Sequence, residues 1–432
     1  MTVAGEVMRK QVEDRPSPAG RRNGGRALPA RGGTANPQPK ALGWRTMVLP
    51  YLLCASIFTK EVFGYGIGES TVDLYLIGLA GCGLGLAFAS RFARYVAIGW
   101  AVLLAHGYLL LSVFNYPKDI LLKQGGVAAL IFVGIAALLE RTDPGRLRIA
   151  YLRTCQVAAG LGILQYAVSL AGVSILIKQP GRLDSLTYEP SHYAIAVAPA
   201  VYLAMRDMFV RRNWNSPLEW MLLASVMLTF SVTALLVIGF SACVLFFKRG
   251  GVVVAALVLG MFFFLFTHQE YLPEEVKKRV EASEEVFVEG KEVHEIRNKS
   301  LLSPLSNWEV ACASLGKGRL LGNGIGGHFH AYHEHFGTIT FFDSKNFAVN
   351  AIGGHSLFIR MASELGLLGL GVYLYWIWKG AVMASRGACV WWTLSAVYFV
   401  GRGIKLGGFF EIGMPIFVLA PLVFYAYRST HR

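Results

Sequence analysis

The sequence is short of charge. Of its 432 residues only 16% are Asp, Glu, Lys or Arg, against about 25% in an ordinary soluble domain. Hydrophobic residues make up 54% and the mean hydropathy is +0.47. The apolar residues come in long runs, such as 98–111, 127–139, 252–266 and 365–378. That pattern excludes a soluble enzyme built on one large core and indicates a polytopic membrane protein. Cysteine is scarce as well. The six (Cys54, Cys82, Cys155, Cys243, Cys312, Cys389) are scattered, with no CxxC pair and no disulfide framework. There is no HExxH motif. The N-terminus lacks the short apolar segment and small-residue cleavage site of a signal peptide.

The charge that is present has a sign and a place. Lys and Arg number 41 against 27 Asp and Glu, a net +14. Residues 1–45 hold nine Lys/Arg and three acids in a Pro-, Gly- and Arg-rich stretch without an apolar run. This stretch reads as a disordered cytoplasmic tail that sets orientation or touches anionic membrane lipids. Its near lack of aromatics argues against a nucleic-acid partner. Twelve spans follow, at 46–59, 71–90, 95–114, 120–139, 149–171, 192–206, 218–231, 233–247, 252–267, 357–378, 388–401 and 409–427. The pair 218–231 and 233–247 is divided because Arg211 and Arg212 flank one side and Lys248 and Arg249 the other, and both pairs belong in the cytoplasm. With both termini inside, Arg91, Arg94, Arg141, Arg146, Arg148, Arg206, Lys379, Arg386 and Arg428 fall inside too. The expected architecture is an all-α polytopic integral membrane protein. Transmembrane helices one to nine occupy 46–267, a large external loop 268–354, helices ten to twelve 355–427, and a cytoplasmic C-terminus 428–432.

Polarity is concentrated outside. One external segment, 172–191, carries Arg182 and Glu189. The other, 268–354, is 87 residues long with nine Lys/Arg against twelve acids, far above the usual connection length and therefore a functional candidate. It opens with an acid-rich stretch at 273–297 suited to i,i+4 helix pairs. It then passes Trp308 and the turn Leu321-Gly322-Asn323-Gly324-Ile325-Gly326-Gly327, and closes on Gly353-Gly354-His355.

Trp308, that glycine turn, His355-Ser356-Leu357 and Glu364-Leu365-Gly366-Leu367-Leu368-Gly369 together resemble the signature of the O-antigen ligase/polymerase superfamily, which comprises Wzy-type polysaccharide polymerases and WaaL-type O-antigen ligases. The arrangement of about twelve spans with one large late loop is similar as well. The resemblance implies a GT-C-like glycosyltransferase of the bacterial inner membrane whose active site faces the periplasm. It also implies a donor glycan linked to undecaprenyl diphosphate, no metal and no other cofactor. The implied partners are that donor, a glycan acceptor, membrane lipids and a chain-length regulator. Tyr188-Glu189-Pro190-Ser191-His192 resembles the stretch that follows the external Arg in the polymerases, so the expectation is a polymerase joining lipid-linked repeat units of O-antigen or exopolysaccharide. The alternative is a ligase that transfers the glycan to lipid A–core. A twelve-span secondary transporter would show two related halves, which are absent, and a non-enzymatic assembly scaffold is the remaining rival.

The residues support particular roles. His355 precedes a helix whose N-terminal field disfavours imidazolium, as suits a general base; in the resembling family it activates the acceptor hydroxyl. The other reading is a His that caps Gly353-Gly354. Diphosphate calls for guanidinium groups, and Arg182 stands where the family carries a functional Arg. Arg279 matches a second such position, although Glu275 is placed to pair with it. Arg360 lies about 7.5 Å below His355 along the helix and is a further diphosphate candidate. Arg402, Lys405 and Glu411 form a polar cluster near the last external turn, either with Arg402 as a diphosphate or sugar contact or as an ion pair. Glu189 is either a partner of sugar hydroxyls and of the base, or a counter-ion of Arg182. His192 and Trp308 complete the candidate substrate contacts. Glu364, about 13 Å along from His355, is read as structural. The Arg that many members of the resembling family carry four residues before the loop Trp is replaced by Pro304, so either Arg297 or Arg319 substitutes in space or that contact is absent. The run from His328 through His330 and His333 to His335 puts no four histidines on one side of a helix or strand, so it reads as a loop against glycan and not as a metal centre.

Overall fold

The computed structural model describes residues 44–67, 70–173, 182–187, 189–246, 302–338, 350–385 and 389–430, with a few isolated positions between 260 and 285. Nearly all of the basic tail, most of 247–301, and with them Arg279, Arg297 and the acid-rich stretch, lie outside the described residues.

The described chain is helical apart from one short hairpin. In order come α1 (Trp44–Ala55), α2 (Lys60–Phe63), the antiparallel strands β1 (Gly64–Ile67) and β2 (Ser70–Asp73), α3 (Leu74–Ala87) and α4 (Arg91–Val113). A π-helical turn, Leu121–Gly126, runs into α5 (Val127–Leu139), followed by α6 (Pro144–Leu170), α7 (Pro190–Val210), α8 (Pro217–Met227) and α9 (Val232–Phe246). The last elements are α10 (Leu302–Gly316), α11 (Gly327–Glu334), α12 (Leu357–Ser385), α13 (Val390–Ile404) and α14 (Met414–Thr430). Starts are set by local chemistry. Ser90 and Asp143 accept the Ala93 and Arg146 amides, and Pro144, Pro190 and Pro217 open α6, α7 and α8.

Among the described residues, four helical segments are long and apolar enough to cross a membrane: α4, the continuous Leu121–Leu139, α7 and α12. Apolar but shorter are α3, α8, α9 and α14. The sequence spans at 46–59, 149–171 and 388–401 meet α1, α6 and α13, and 252–267 falls almost wholly outside the described residues. The hairpin at 64–73 has no counterpart in the sequence reading, because four-residue strands are too short to show a period. At the centre, α13 packs against α12, α7, α14 and α9 and buries Trp391, Trp392, Leu394, Val397 and Tyr398.

The divided span is two antiparallel helices. Phe209, near the end of α7, meets Trp214 at 4.6 Å and Phe246 at 5.7 Å between ring centroids. At the other end of α7, Tyr193 donates to Ser225 Oγ at 2.8 Å. So α8 runs up along α7 and α9 runs back down, returning the chain to the end that holds Arg211 and Arg212. The turn between them, with Phe230 at φ 46°, is bridged by Leu183 N donating to Leu228 O and Arg182 Nε donating to Thr229 O at 2.9 Å.

A break in α12 ties the segment around the glycine turn to the bundle. Gly366 has φ 62° and ψ −146°, a combination essentially reserved for glycine. The backbone of the glycine turn docks there. Asn323 N donates to Ser363 O (2.8 Å), Gly324 N to Glu364 O (2.9 Å), and Leu367 N to Leu320 O (2.9 Å). The Asn323 side chain, fully buried, also donates to Ser363 O at 3.0 Å. A Cβ on Gly322 would sit 2.4 Å from Glu364 O, and one on Gly366 would sit 2.1 Å from Leu320 O. The two glycine motifs of the sequence are therefore the two halves of one joint. Gly366→Ala is expected to cost about 3 kcal/mol or more through strain and overlap. In contrast Gly371→Ala, in the same helix with open space around it, should be neutral or gain up to ~1 kcal/mol from helix propensity. Unfolding of the two variants in detergent micelles compares them.

Candidate functional site

The loop 405–413, between α13 and α14, is held from below by two buried arginines. Arg402, 0% exposed, donates through Nη2 to Gly408 O and through Nη1 to Glu411 O. Arg360, 1% exposed, donates through Nη1 to Gly407 O (3.2 Å) and through Nη2 to Gln124 Oε1 of the π-helical turn (2.5 Å). Its Nε lies 3.1 Å from Glu364 Oε2, and its guanidinium sits 3.9 Å over the Phe409 ring. A buried charge held on this many sides braces the structure around it.

The braced loop presents Lys405 and Glu411. Lys405 Nζ pairs with Glu189 Oε2, which also accepts from Ser191 Oγ and lies 3.9 Å from His192 Nε2. Glu411 Oε1 pairs with Lys60 Nζ, just beyond α1, at 2.6 Å. His355 joins them through backbone contact: Gly407 packs so closely on Gly353 that a Cβ would lie 1.6 Å from the Gly353 oxygen. His355 itself is held at φ 60°, a conformation costly for a non-glycine residue. Its Nδ1 lies 3.1 Å from Ser303 Oγ of α10, which accepts from Asn350 Nδ2 at 3.1 Å. Among the described residues, nothing hydrogen-bonds to its Nε2.

Burial is the main influence on His355. With the Lys405 charge beside it, and against the opposing pull of Glu189, it holds the imidazole pKa down to about 4. The ring is therefore neutral near pH 7. Burial alone would raise the Glu189 carboxyl, but Lys405 and His192 outweigh it and the pKa falls below its usual value. The cluster thus combines the neutral His355 imidazole with two carboxylate–ammonium pairs, Glu189 with Lys405 and Glu411 with Lys60.

The structure brings together His355, Glu189 and His192, and adds Lys405, Lys60, Glu411, Ser303 and Asn350. Arg360 and Arg402 stand beneath this cluster, where their guanidinium groups hold loop carbonyls, Glu364 and Gln124. Arg182 sits at the same end of α7 but is 4% exposed, with Nε and Nη2 directed at the carbonyls of Thr229 and Phe230; here it clamps the α8–α9 turn. Trp308 stacks on Phe358 with ring centroids 5.5 Å apart and stays 37% exposed, so one face is open to a ligand. Arg279 lies outside the described residues. Arg319 does not take the place of the missing Arg. It pairs with both oxygens of Glu334 (2.7 and 2.9 Å), donates to Tyr116 and Asn323, and covers the Phe114 ring at 4.2 Å.

The histidine run forms α11. His328, fully buried, places Nδ1 2.7 Å from Ser363 Oγ and Nε2 2.8 Å from Asn307 Oδ1. His335 Nε2 approaches Ser314 Oγ at 3.4 Å. Among the described residues no three His, Cys, Asp or Glu side chains converge on a metal position. The sequence reading gave Lys60 no role and Lys405 only a place in a polar cluster, although a signal existed: in the expected topology both stand at outer ends of spans, against the orientation bias. Ser303 and Asn350 left no signal, since pairing them needs the fold of the loop.

The depressed His355 pKa has a stability consequence. The folded state disfavours the proton, so the contribution is complete above the ordinary value of about 6.5 and is lost as pH falls toward about 4. The unfolding temperature of the native protein should drop between pH 6.5 and 4, and the drop should be smaller in His355→Gln.

Comparison with protein-family models and with curated proteins returns no match.

Proposed function

We propose that the protein is a membrane glycosyltransferase that moves a glycan from a lipid diphosphate to an acceptor hydroxyl, with His355 as general base. The observation that carries this reading is the setting of His355. It is neutral, fixed at Nδ1, open at Nε2, and placed beside Lys405 and Glu189 at one end of a bundle of apolar helices. The tautomer that donates Nδ1–H to Ser303 Oγ leaves a lone pair on Nε2 for the acceptor proton.

In the proposed reaction the acceptor oxygen attacks the anomeric carbon while its proton passes to His355 Nε2. The bond from that carbon to the diphosphate oxygen breaks, and the lipid diphosphate leaves with the electron pair. Direct displacement inverts the anomeric centre. The leaving group is an anion, and Lys405 with Lys60 supplies positive charge for it. An incoming diphosphate draws Lys405 from Glu189, whose freed carboxylate steadies the imidazolium. Arg182 acts by fixing the turn beside Glu189, and Arg279 remains a candidate second cation. The open face of Trp308 suits stacking on a sugar ring.

Among acceptors we favour a second lipid-linked repeat unit, which makes the protein a polymerase of O-antigen or exopolysaccharide at the periplasmic face of the inner membrane. The twelve-span architecture and the GT-C-like class belong to the same proposal. Loss of the gene should cause lipid-linked single repeats to accumulate. Long lipid-linked chains beside bare lipid A–core would instead make it a ligase. With purified protein in lipid nanodiscs and a lipid-diphosphate glycan, His355→Ala should lower transfer about 10²- to 10⁴-fold, the usual weight of a general base. Native kcat/KM should hold its value down to about pH 5 and fall near pH 4. Undiminished transfer by His355→Ala would overturn the mechanism.

A further inference from the structure

The opposite end of the bundle has its own concave site. Where α4 and α6 begin and α14 approaches its end, a cleft of about 630 Å³ is lined by Arg91, Phe92, Tyr95, Arg141, Pro144 and Phe424, among others. Two acids also border it, and both are turned to partners within the protein. Glu140 accepts from Ser90 Oγ, and Asp143 Oδ1 accepts the Arg146 amide at 2.8 Å. The two arginines are exposed and only partly engaged: Arg91 Nε donates to Tyr95 OH (3.2 Å), and Arg141 Nη1 donates to Ala137 O (2.8 Å). Each guanidinium keeps further N–H groups for a ligand.

The surroundings say which ligand. From this cleft α4 continues as an exposed apolar face, with Tyr95, Ile98 and Val102 at 56%, 62% and 63% exposure. Of the four helical segments able to cross a membrane it is the least buried in protein. Two guanidinium groups, a tyrosine and an outward apolar stripe below them match a molecule with an anionic head and hydrocarbon tails. We propose that this cleft binds the phosphodiester headgroup of an anionic phospholipid, its acyl chains lying along α4. The site is separate from the His355 cluster and does not depend on the proposed transferase reaction. A free phosphate shares the head chemistry but has no use for the stripe.

The full-length protein in mild detergent tests this, with phosphatidylglycerol and phosphatidylcholine of matched chains as probes. Retained lipid is read by native mass spectrometry and the unfolding temperature alongside. Phosphatidylglycerol should be retained and should raise the unfolding temperature, and phosphatidylcholine should do neither. The Arg91→Gln/Arg141→Gln pair should bind phosphatidylglycerol about 30-fold more weakly, the loss of two cation–lipid attractions, with its unfolding temperature in phosphatidylcholine unchanged. Arg91→Lys/Arg141→Lys should retain most of the binding. Equal retention of both lipids, or full retention by the Gln pair, would overturn the proposal. So would inorganic phosphate alone reproducing the stabilisation, since the ligand would then be the free anion.

Discussion

The structure around the site depends on the backbone joint between the glycine turn and the interrupted helix α12. At Gly366 the helix leaves the carbonyls of Ser363 and Glu364 without their usual partners, and unpaired carbonyls inside a bundle are costly. The amides of Asn323 and Gly324 meet them. The joint fixes α11 against α12 and places His328 between Ser363 and Asn307. Asn307 lies one turn beyond Ser303 on α10, and Ser303 orients His355. The glycine turn is thereby tied to His355 through a short chain of hydrogen bonds.

Around that frame, charge is divided by depth. The deeply buried guanidinium groups of Arg360 and Arg402 brace the protein: Arg402 donates to the carbonyls of Gly408 and Glu411, and Arg360 to Gly407 O and Gln124 Oε1 with the Glu364 carboxylate beside it. The cations that reach the cluster surface are ammonium groups, those of Lys60 and Lys405, each on a single carboxylate. A planar, weakly hydrated guanidinium tolerates burial among carbonyls, whereas a compact ammonium on a flexible stem can change partners. The arrangement separates the parts that must stay from the parts that can exchange.

The sequence revealed a good part of this, for physical reasons. Apolar runs located eleven of the fourteen described helices, all but α2, α10 and α11, because length and hydropathy are local properties. The basic flanks at Arg211 and Lys248 divided α8 from α9, because orientation follows charge. The His355 and glycine motifs stood out through their resemblance to a family signature. What stayed hidden needed the third dimension. Burial sets Arg360 and Arg402 against loop carbonyls, and burial is not written in a single helix turn. The partner of Glu189 turned out to be Lys405, more than two hundred positions away, where the sequence could offer only the neighbouring Arg182. The four-residue strands of the hairpin carry too few alternations to be read at all.

Because the joint is made of amides and carbonyls, its demands on sequence are small: glycine at 322 and 366, and an Asn between Ser314 and Ser363. The exposed side chains of Leu320 and Leu321 take no part in its hydrogen bonds. An outer loop built on such a joint can exchange most of its surface during evolution and still be anchored in the same way. Kinship among such chains would then survive as two short glycine motifs some forty residues apart, long after pairwise identity had faded.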